Sequence, residues 1–173
     1  MEDDEFDEMS TECEEEPWSD EEDEEGDEEG SIEFIRGNLF SNDDHGTALA
    51  HCVSSDLVMG KGIAVEFKRR FGRVDELREQ EHGVGAAPYL RLPGGRFVFY
   101  MVTKEKYNHK PTYATIRQSL RSVGVTMDLL SIKSVAIPKI GCGLDRKEWS
   151  EVEKIVREEW VEKHGLNVVV YSL

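Results

Sequence analysis

The amino-acid sequence predicts an α/β domain, a three-layer α/β/α sandwich around a mixed central sheet, spanning residues 31–173. Two observations carry that expectation. Beyond residue 30, short runs rich in β-branched and aromatic residues alternate with stretches of helical period, the pattern of a largely parallel or mixed sheet covered on both faces. The first 30 residues differ in kind: they hold 19 of the 37 Asp and Glu and no Lys or Arg. The formal net charge of −16 therefore splits into −19 for this leader and +3 for the remainder.

Runs such as Glu21-Glu22-Asp23-Glu24-Glu25 repel themselves and offer little to bury, so residues 1–30 are expected to form a disordered acidic tail. Phe6, Met9 and Trp18 are its sizeable apolar side chains. Three roles stay open for it: an inert solvated leader, an interaction tail for a basic partner such as a histone or ribosomal surface, or a segment folding back over a basic cleft. The remainder is the size of one domain with one core. No apolar run approaches the roughly 18–20 residues of a membrane span, and acids stand where a targeting peptide needs bases. Cys13, Cys52 and Cys142 make an odd set without CxxC spacing, and the histidines show no ligand spacing. Neither a disulfide framework nor a metal is expected, and the natural setting is a reducing compartment.

The elements follow in order. Ser31–Arg36 and Thr47–Val53 read as strands joined by the polar loop 41–46. Gly60–Phe71 reads as a helix with Ile63, Val65, Phe67 and Phe71 as its apolar positions, and Val74–His82 as a second short one. Tyr89–Leu92 and Phe97–Thr103 predict a hairpin around Pro93-Gly94-Gly95. Helical spacing runs through Tyr113, Ile116, Leu120, Val123 and Met127 over Thr112–Leu129, with Gly124 as a weak point. Ser134–Ile140 is a strand whose Pro138 suits a terminus better than a centre. Lys147–Lys163 is a helix with Trp149, Val152, Ile155, Val156 and Trp160 inward, and Leu166–Tyr171 is the final strand.

Ligands of such sheets sit beyond the carboxyl ends of the strands, and two strand-to-helix junctions there carry glycines. The first is Met59-Gly60-Lys61-Gly62-Ile63-Ala64, the second Ile140-Gly141-Cys142-Gly143-Leu144-Asp145. Glycine permits positive φ and close backbone approach, so N–H groups can face an anion at a helix start. Either loop alone is an ordinary turn as readily as a site; two on one sheet edge suggest a diphosphate held from both sides. Neither matches a P-loop or a GxGxxG dinucleotide loop.

Lys104 leaves the apolar strand at the sheet's edge and Asp145 leaves the second loop, so convergent loops would set an amine against a carboxylate. A lysine can attack an anomeric carbon while a carboxylate takes its proton and later activates water. Pattern alone favours a blander reading, in which Lys104 is a surface lysine beside Lys106 and Lys110 and Asp145 caps a helix. His51 and Cys52 read as core, and Cys142 as a small residue in a tight loop without a histidine partner.

These residues together resemble the macrodomain family, in the subgroup of terminal ADP-ribose protein glycohydrolases. The resemblance rests on Ala50-His51-Cys52-Val53-Ser54, the run 59–64, Phe67-Lys68, Tyr100 to Lys104, the run 109–113, Pro138 to Arg146, and Trp149. It covers nearly all of residues 32–173 and excludes the leader. It implies a macrodomain-like fold, no metal or cofactor, and hydrolysis of ADP-ribose esters on acidic side chains. Removal of ADP-ribose from nucleic acid and deacylation of O-acetyl-ADP-ribose lie within its range. Lys104 would be the nucleophile at the distal ribose C1″, in a form able to lose its proton, and Asp145 would resolve the adduct. Ser54, with Met59, Gly60, Lys61, Gly62, Ile63 and Ala64, would contact the diphosphate and distal ribose. Pro138, Ile140, Gly141, Cys142, Gly143 and Leu144 would cradle the diphosphate from the other side. Gly37, Asn38 and Leu39 would lie near adenine, flanked by Tyr171 and Leu173.

One position departs from the pattern. Macrodomains usually carry Asp where this chain has Asn38, so the charge-assisted part of adenine recognition is expected to be lost while binding is retained. Two further readings remain beside the hydrolase: a non-catalytic ADP-ribose reader, and a phosphatase acting on ADP-ribose 1″-phosphate. The implied setting is nucleus and cytosol, without membrane, as a monomer acting on ADP-ribosylated proteins or nucleic acid.

Overall fold

The computed structural model describes residues 29–173. The expected disordered leader, apart from Glu29 and Gly30, lies outside the described residues.

Six strands form one mixed sheet in the order β1-β6-β5-β2-β4-β3. They are β1 (Ser31–Arg36), β2 (Thr47–Ser54), β3 (Tyr89–Arg91), β4 (Phe97–Lys104), β5 (Ser134–Pro138) and β6 (Asn167–Ser172). All neighbours are parallel except the β3–β4 hairpin. Central β2 and β4 are almost wholly buried, while edge strand β1 has no fully buried residue.

The period-2 alternation of β2 sorts its side chains between two cores. Ala48 and Ala50 face one side, with Phe99 and Met101 of β4. That side is covered by helix α3 (Tyr113–Leu129), helix α4 (Trp149–Val156) and the π-helical segment Arg157–Glu162 that continues α4. Leu49 and Val53 face the other, with Tyr100 and Val102, under helices α1 (Ile63–Phe71) and α2 (Val74–Arg78). The result is the expected three-layer α/β/α sandwich.

The boundaries depart from the sequence reading for local reasons. Helix α1 starts at Ile63, because the backbone at Gly62 lies at φ 65°, ψ −153°, outside helical space. Val65, expected inward, is 40% exposed; Phe67 carries the buried face instead. Helix α2 stops at Arg78, four residues early, and the Gln80 side chain beyond it pairs with both backbone groups of Tyr89. Strand β5 ends at Pro138, whose ring supplies no ladder N–H. Thr112 and Thr115 close a capping box at the start of α3. Gly124 does not break that helix: it is buried, and a Cβ there would stand 2.8 Å from the His164 ring. The same layer is pinned by Glu159, 2% exposed, which takes bonds from Arg117, Arg121 and Lys163. Burial pushes its carboxyl up, but these cations more than offset that and hold it at about 2.

At the other end of the sheet, Gly30 packs so closely on the Gly165–Leu166 backbone that a Cβ there would lie 2.1 Å from the Leu166 carbonyl oxygen. The leader is thus rooted at the amino end of the strands. No helix among the described residues is long and apolar enough to cross a membrane.

Candidate active site

Beyond the carboxyl ends of β2, β4 and β5 lies a cavity of about 820 Å³, within the usual range for a small-molecule site. Its first wall is the segment from Ser54 to Ala64. Leu57 and Met59 both adopt left-handed backbone conformations, at φ 54° and 49°, although their side chains are buried in the core under α1. Asp56 ties this wall together. Its carboxylate accepts from the Ser54 hydroxyl, the Val58 N–H and, from the segment that follows β4, the Tyr107 N–H. Burial raises its pKa, but those hydrogen bonds outweigh it and keep the group below the ordinary carboxylate value.

The second wall is the run from Pro138 to Asp145, with Gly141 at φ 77°. The two Gly loops do converge. A Cβ placed on Gly62 would lie 3.6 Å from Leu144 Cδ1, and Lys110 Nζ donates to the Leu144 carbonyl at 3.0 Å. Between the walls, Lys104 Nζ donates to Asp145 Oδ1 at 2.9 Å, each side chain 15% exposed. Asp145 is not a helix cap, since the residue at the start of α4 is Glu148. Lys104 is not a free surface lysine. An amine and a carboxylate in contact, at the floor of a cavity faced by two glycine loops, can exchange a proton beside a bound electrophile.

Most expected site residues come together here. Ser54, Met59, Gly60, Lys61, Gly62, Ile63, Ala64, Pro138, Ile140, Gly141, Gly143 and Leu144 all line the cavity. Six do not. Cys142 turns its thiol onto the Ile140 carbonyl. Gly37, Asn38 and Leu39 lie beyond β1, where the Gly37 N–H bonds the Ser172 carbonyl of β6. Asn38 caps a single 3₁₀ turn, Leu39–Ser41, its side-chain oxygen accepting from the Phe40 N–H at 2.9 Å. The oxygen expected to meet a purine is therefore already engaged locally. The buried Tyr171 hydroxyl accepts from Asn42, and Leu173 is 93% exposed.

Several lining residues escaped the sequence reading. Cys52, expected in the core, is half-buried on the cavity floor. Burial, followed by the nearby Asp145 charge, pushes its thiol up to about 12, so it stands there as a neutral group. Tyr107, Asn108, His109 and Lys110 form a rim that no periodicity announces. Among the described residues, no group of three or more His, Cys, Asp or Glu is placed to hold a metal ion.

A family model described as "Macro domain" matches residues 50–156. The chain is 40% identical over 148 residues to the Bos taurus protein named ADP-ribose glycohydrolase OARD1, covering 85% of this chain and 95% of that one. The Homo sapiens counterpart is 39% identical over the same shares. A Thermus aquaticus DNA ADP-ribosyl glycohydrolase is 29% identical over 82% of this chain and 41% of its own length. Among solved structures, the macrodomain of Thermus aquaticus DarG superposes with a TM-score of 0.72 at 27% identity, covering 83% of this chain and all of that one.

Proposed function

The chain belongs to the Macro domain family, and from that premise we propose that it is a hydrolase that releases ADP-ribose from an acceptor, with Lys104 as nucleophile and Asp145 as its proton partner. The observation that carries this reading is the Lys104–Asp145 contact of 2.9 Å at the cavity floor. A module that only bound ADP-ribose would need neither group, and pairing them there would cost desolvation for no return. The names of the cattle and human relatives, both ADP-ribose glycohydrolases, point the same way.

The chemistry closes in two halves. Lys104 Nζ gives a proton to Asp145, and its lone pair forms a bond to the distal ribose C1″. The C1″–O bond to the acceptor breaks with its electron pair, which leaves on a carboxylate or phosphate stable enough to need little acid help. Asp145 returns its proton to solvent or the leaving group, then accepts one from water. The resulting hydroxide bonds to C1″, and the lysine nitrogen departs with the C1″–N pair and regains a proton. The backbone N–H groups of the two Gly loops face the diphosphate throughout, adding fixed dipoles without reorganisation.

The test uses glutamate-linked mono-ADP-ribosylated peptide. Wild type should release free ADP-ribose, and Lys104→Ala should lose at least about a hundredfold in rate, the lower range for removing such a group. Asp145→Ala should be as slow and should accumulate a mass adduct of ADP-ribose on Lys104. Tight ADP-ribose binding without release from any substrate would make the chain a reader and end the proposal.

A further inference from the structure

We propose that Asp56 is a specificity-determining residue that acts through Ser54: by holding the Ser54 hydroxyl proton, it makes Ser54 Oγ a hydrogen-bond acceptor for the 2″-hydroxyl of the distal ribose. This rests on the hydrolase reading and names the sugar group that the same site inspects.

Position comes first. Ser54 ends β2 and is the cross-strand partner of Lys104 at the end of β4. Val53 pairs with Val102, so uninterrupted pairing would set Thr103 opposite Ser54. A register shift between Val53 and Ser54 brings Lys104 there instead, the kind of irregularity that re-aims a side chain beside a site. The Ser55 N–H fastens the arrangement by donating to the Lys104 carbonyl at 2.8 Å. Ser54 is 4% exposed and lines the same cavity as Lys104. A ligand whose C1″ meets Lys104 thus lies against Ser54 as well.

Hydrogen-bond direction then selects the partner. The Asp56 carboxyl stands below the ordinary carboxylate range, so it is ionised at neutral pH, and an ionised carboxylate only accepts. The Ser54 hydroxyl therefore gives its one proton to Asp56 Oδ1. Asp56 is held in that orientation, because the same carboxylate also takes the Val58 and Tyr107 N–H groups. What Ser54 has left for the cavity is lone pairs, and no donor to them is found among the described residues. Phosphate oxygens, the ribose ring oxygen and a departing carboxylate are all acceptors, so none of them can fill the place. Within the ring, C1″ is bonded to that oxygen and to C2″, which makes the C2″ hydroxyl the nearest donor the sugar offers. A bond to this hydroxyl tightens as positive charge develops at the anomeric carbon, and the Asp56 charge behind Ser54 polarises it further.

The experiment measures, by calorimetry, binding of ADP-ribose and its 2″-deoxy and 3″-deoxy analogues to full-length wild type, Ser54→Ala and Asp56→Asn. The readout for each protein is the ratio of an analogue's Kd to that of ADP-ribose. A merely structural role weakens all three ligands alike and leaves the ratios unmoved. Wild type should bind the 2″-deoxy analogue about tenfold more weakly than ADP-ribose, the effect of one hydrogen bond. Ser54→Ala should bring that ratio to about one. Asp56→Asn, whose single amide oxygen cannot serve both Ser54 and Tyr107, should bring it below about threefold. The 3″-deoxy ratio should be the same in all three proteins. On the glutamyl peptide, kcat/KM of both variants should fall further than their affinity for ADP-ribose does, since the bond tightens in the transition state. A wild-type 2″ ratio near one overturns the proposal, as does a wild-type ratio in either variant, or a change confined to the 3″ ratio. A wild type that shows the expected ratios but releases nothing from any substrate sinks the hydrolase reading and leaves the assignment of Asp56 and Ser54 standing.

Discussion

Acidification should unfold this domain through one buried histidine, and the structure sets the size of the effect. His51 is fully buried, stacked on Phe67 at 3.6 Å between ring centroids and edge-on to Tyr100 at 4.8 Å. Neither ring nitrogen has a well-formed hydrogen-bond partner, and burial, only slightly relieved by the Cys52 backbone, depresses its pKa from 6.5 to about 3. The unfolded chain takes up a proton near pH 6.5 while the folded one refuses it until about pH 3. Stability is thus fully present above pH 6.5 and is lost as pH falls toward 3, at about 1.4 kcal/mol per pH unit. Between pH 7.5 and 4.5 the loss amounts to about 3 kcal/mol, a large share of a typical domain's total. The carboxylates with lowered pKa, Glu159 and Asp56 among them, add their own losses only below about their unfolded values of 4.5 and 3.8. The upper window therefore belongs to His51. The assay is urea denaturation followed by tryptophan fluorescence from pH 7.5 to 4.5, on wild type and His51→Phe. The variant keeps the stack and loses the titration, so its stability should stay about 3 kcal/mol flatter across the window. Other histidines are common to both proteins and cancel in the difference. Parallel loss of stability in the two proteins would refute the reasoning.

The other predictions concern single positions. Glu159→Gln should cost about 1–3 kcal/mol in urea denaturation at pH 7, since it strands three cations around a buried amide. That deficit should shrink as pH falls from 4.5 toward 2, where the wild-type carboxylate itself becomes protonated. Asn38→Asp should keep the 3₁₀ turn capped, because a carboxylate accepts from the Phe40 N–H equally well. Calorimetry with ADP-ribose should then show a few-fold gain in affinity, and an unchanged Kd would remove residue 38 from adenine recognition.

Much of the scaffold was legible because its cause is periodic. The two-residue alternation of Leu49-Ala50-His51-Cys52-Val53 separates the two cores directly, and the glycines at 60, 62, 141 and 143 announce the loops that face the cavity. What escaped depends on contacts distant in sequence. Helix α2 ends early and Gln80 is engaged by Tyr89, which propensity does not see. The π-helical turn after α4 surrounds Glu159, whose partners lie some forty positions earlier in α3. At the site, pattern alone left Lys104 and Asp145 as a surface lysine and a cap. The pairing was open from the two converging loops, but the resemblance was needed to favour it, because a contact across 41 positions leaves no periodic trace. Asp56 and the Tyr107 rim were missed for the same reason: polar residues in irregular segments carry no hydrophobic signal.

The left-handed residues Leu57 and Met59 bear on the thermodynamics of occupancy. Bulky side chains in that conformation cost about 1 kcal/mol or more each, and here burial of both side chains offsets the cost before any ligand arrives. The wall they hold is fastened from beneath by two apolar anchors and from the side by Asp56. A ligand entering the cavity has little chain entropy to remove from this wall. More of the contact energy then remains available for distinguishing one bound state from another, the reacting state included.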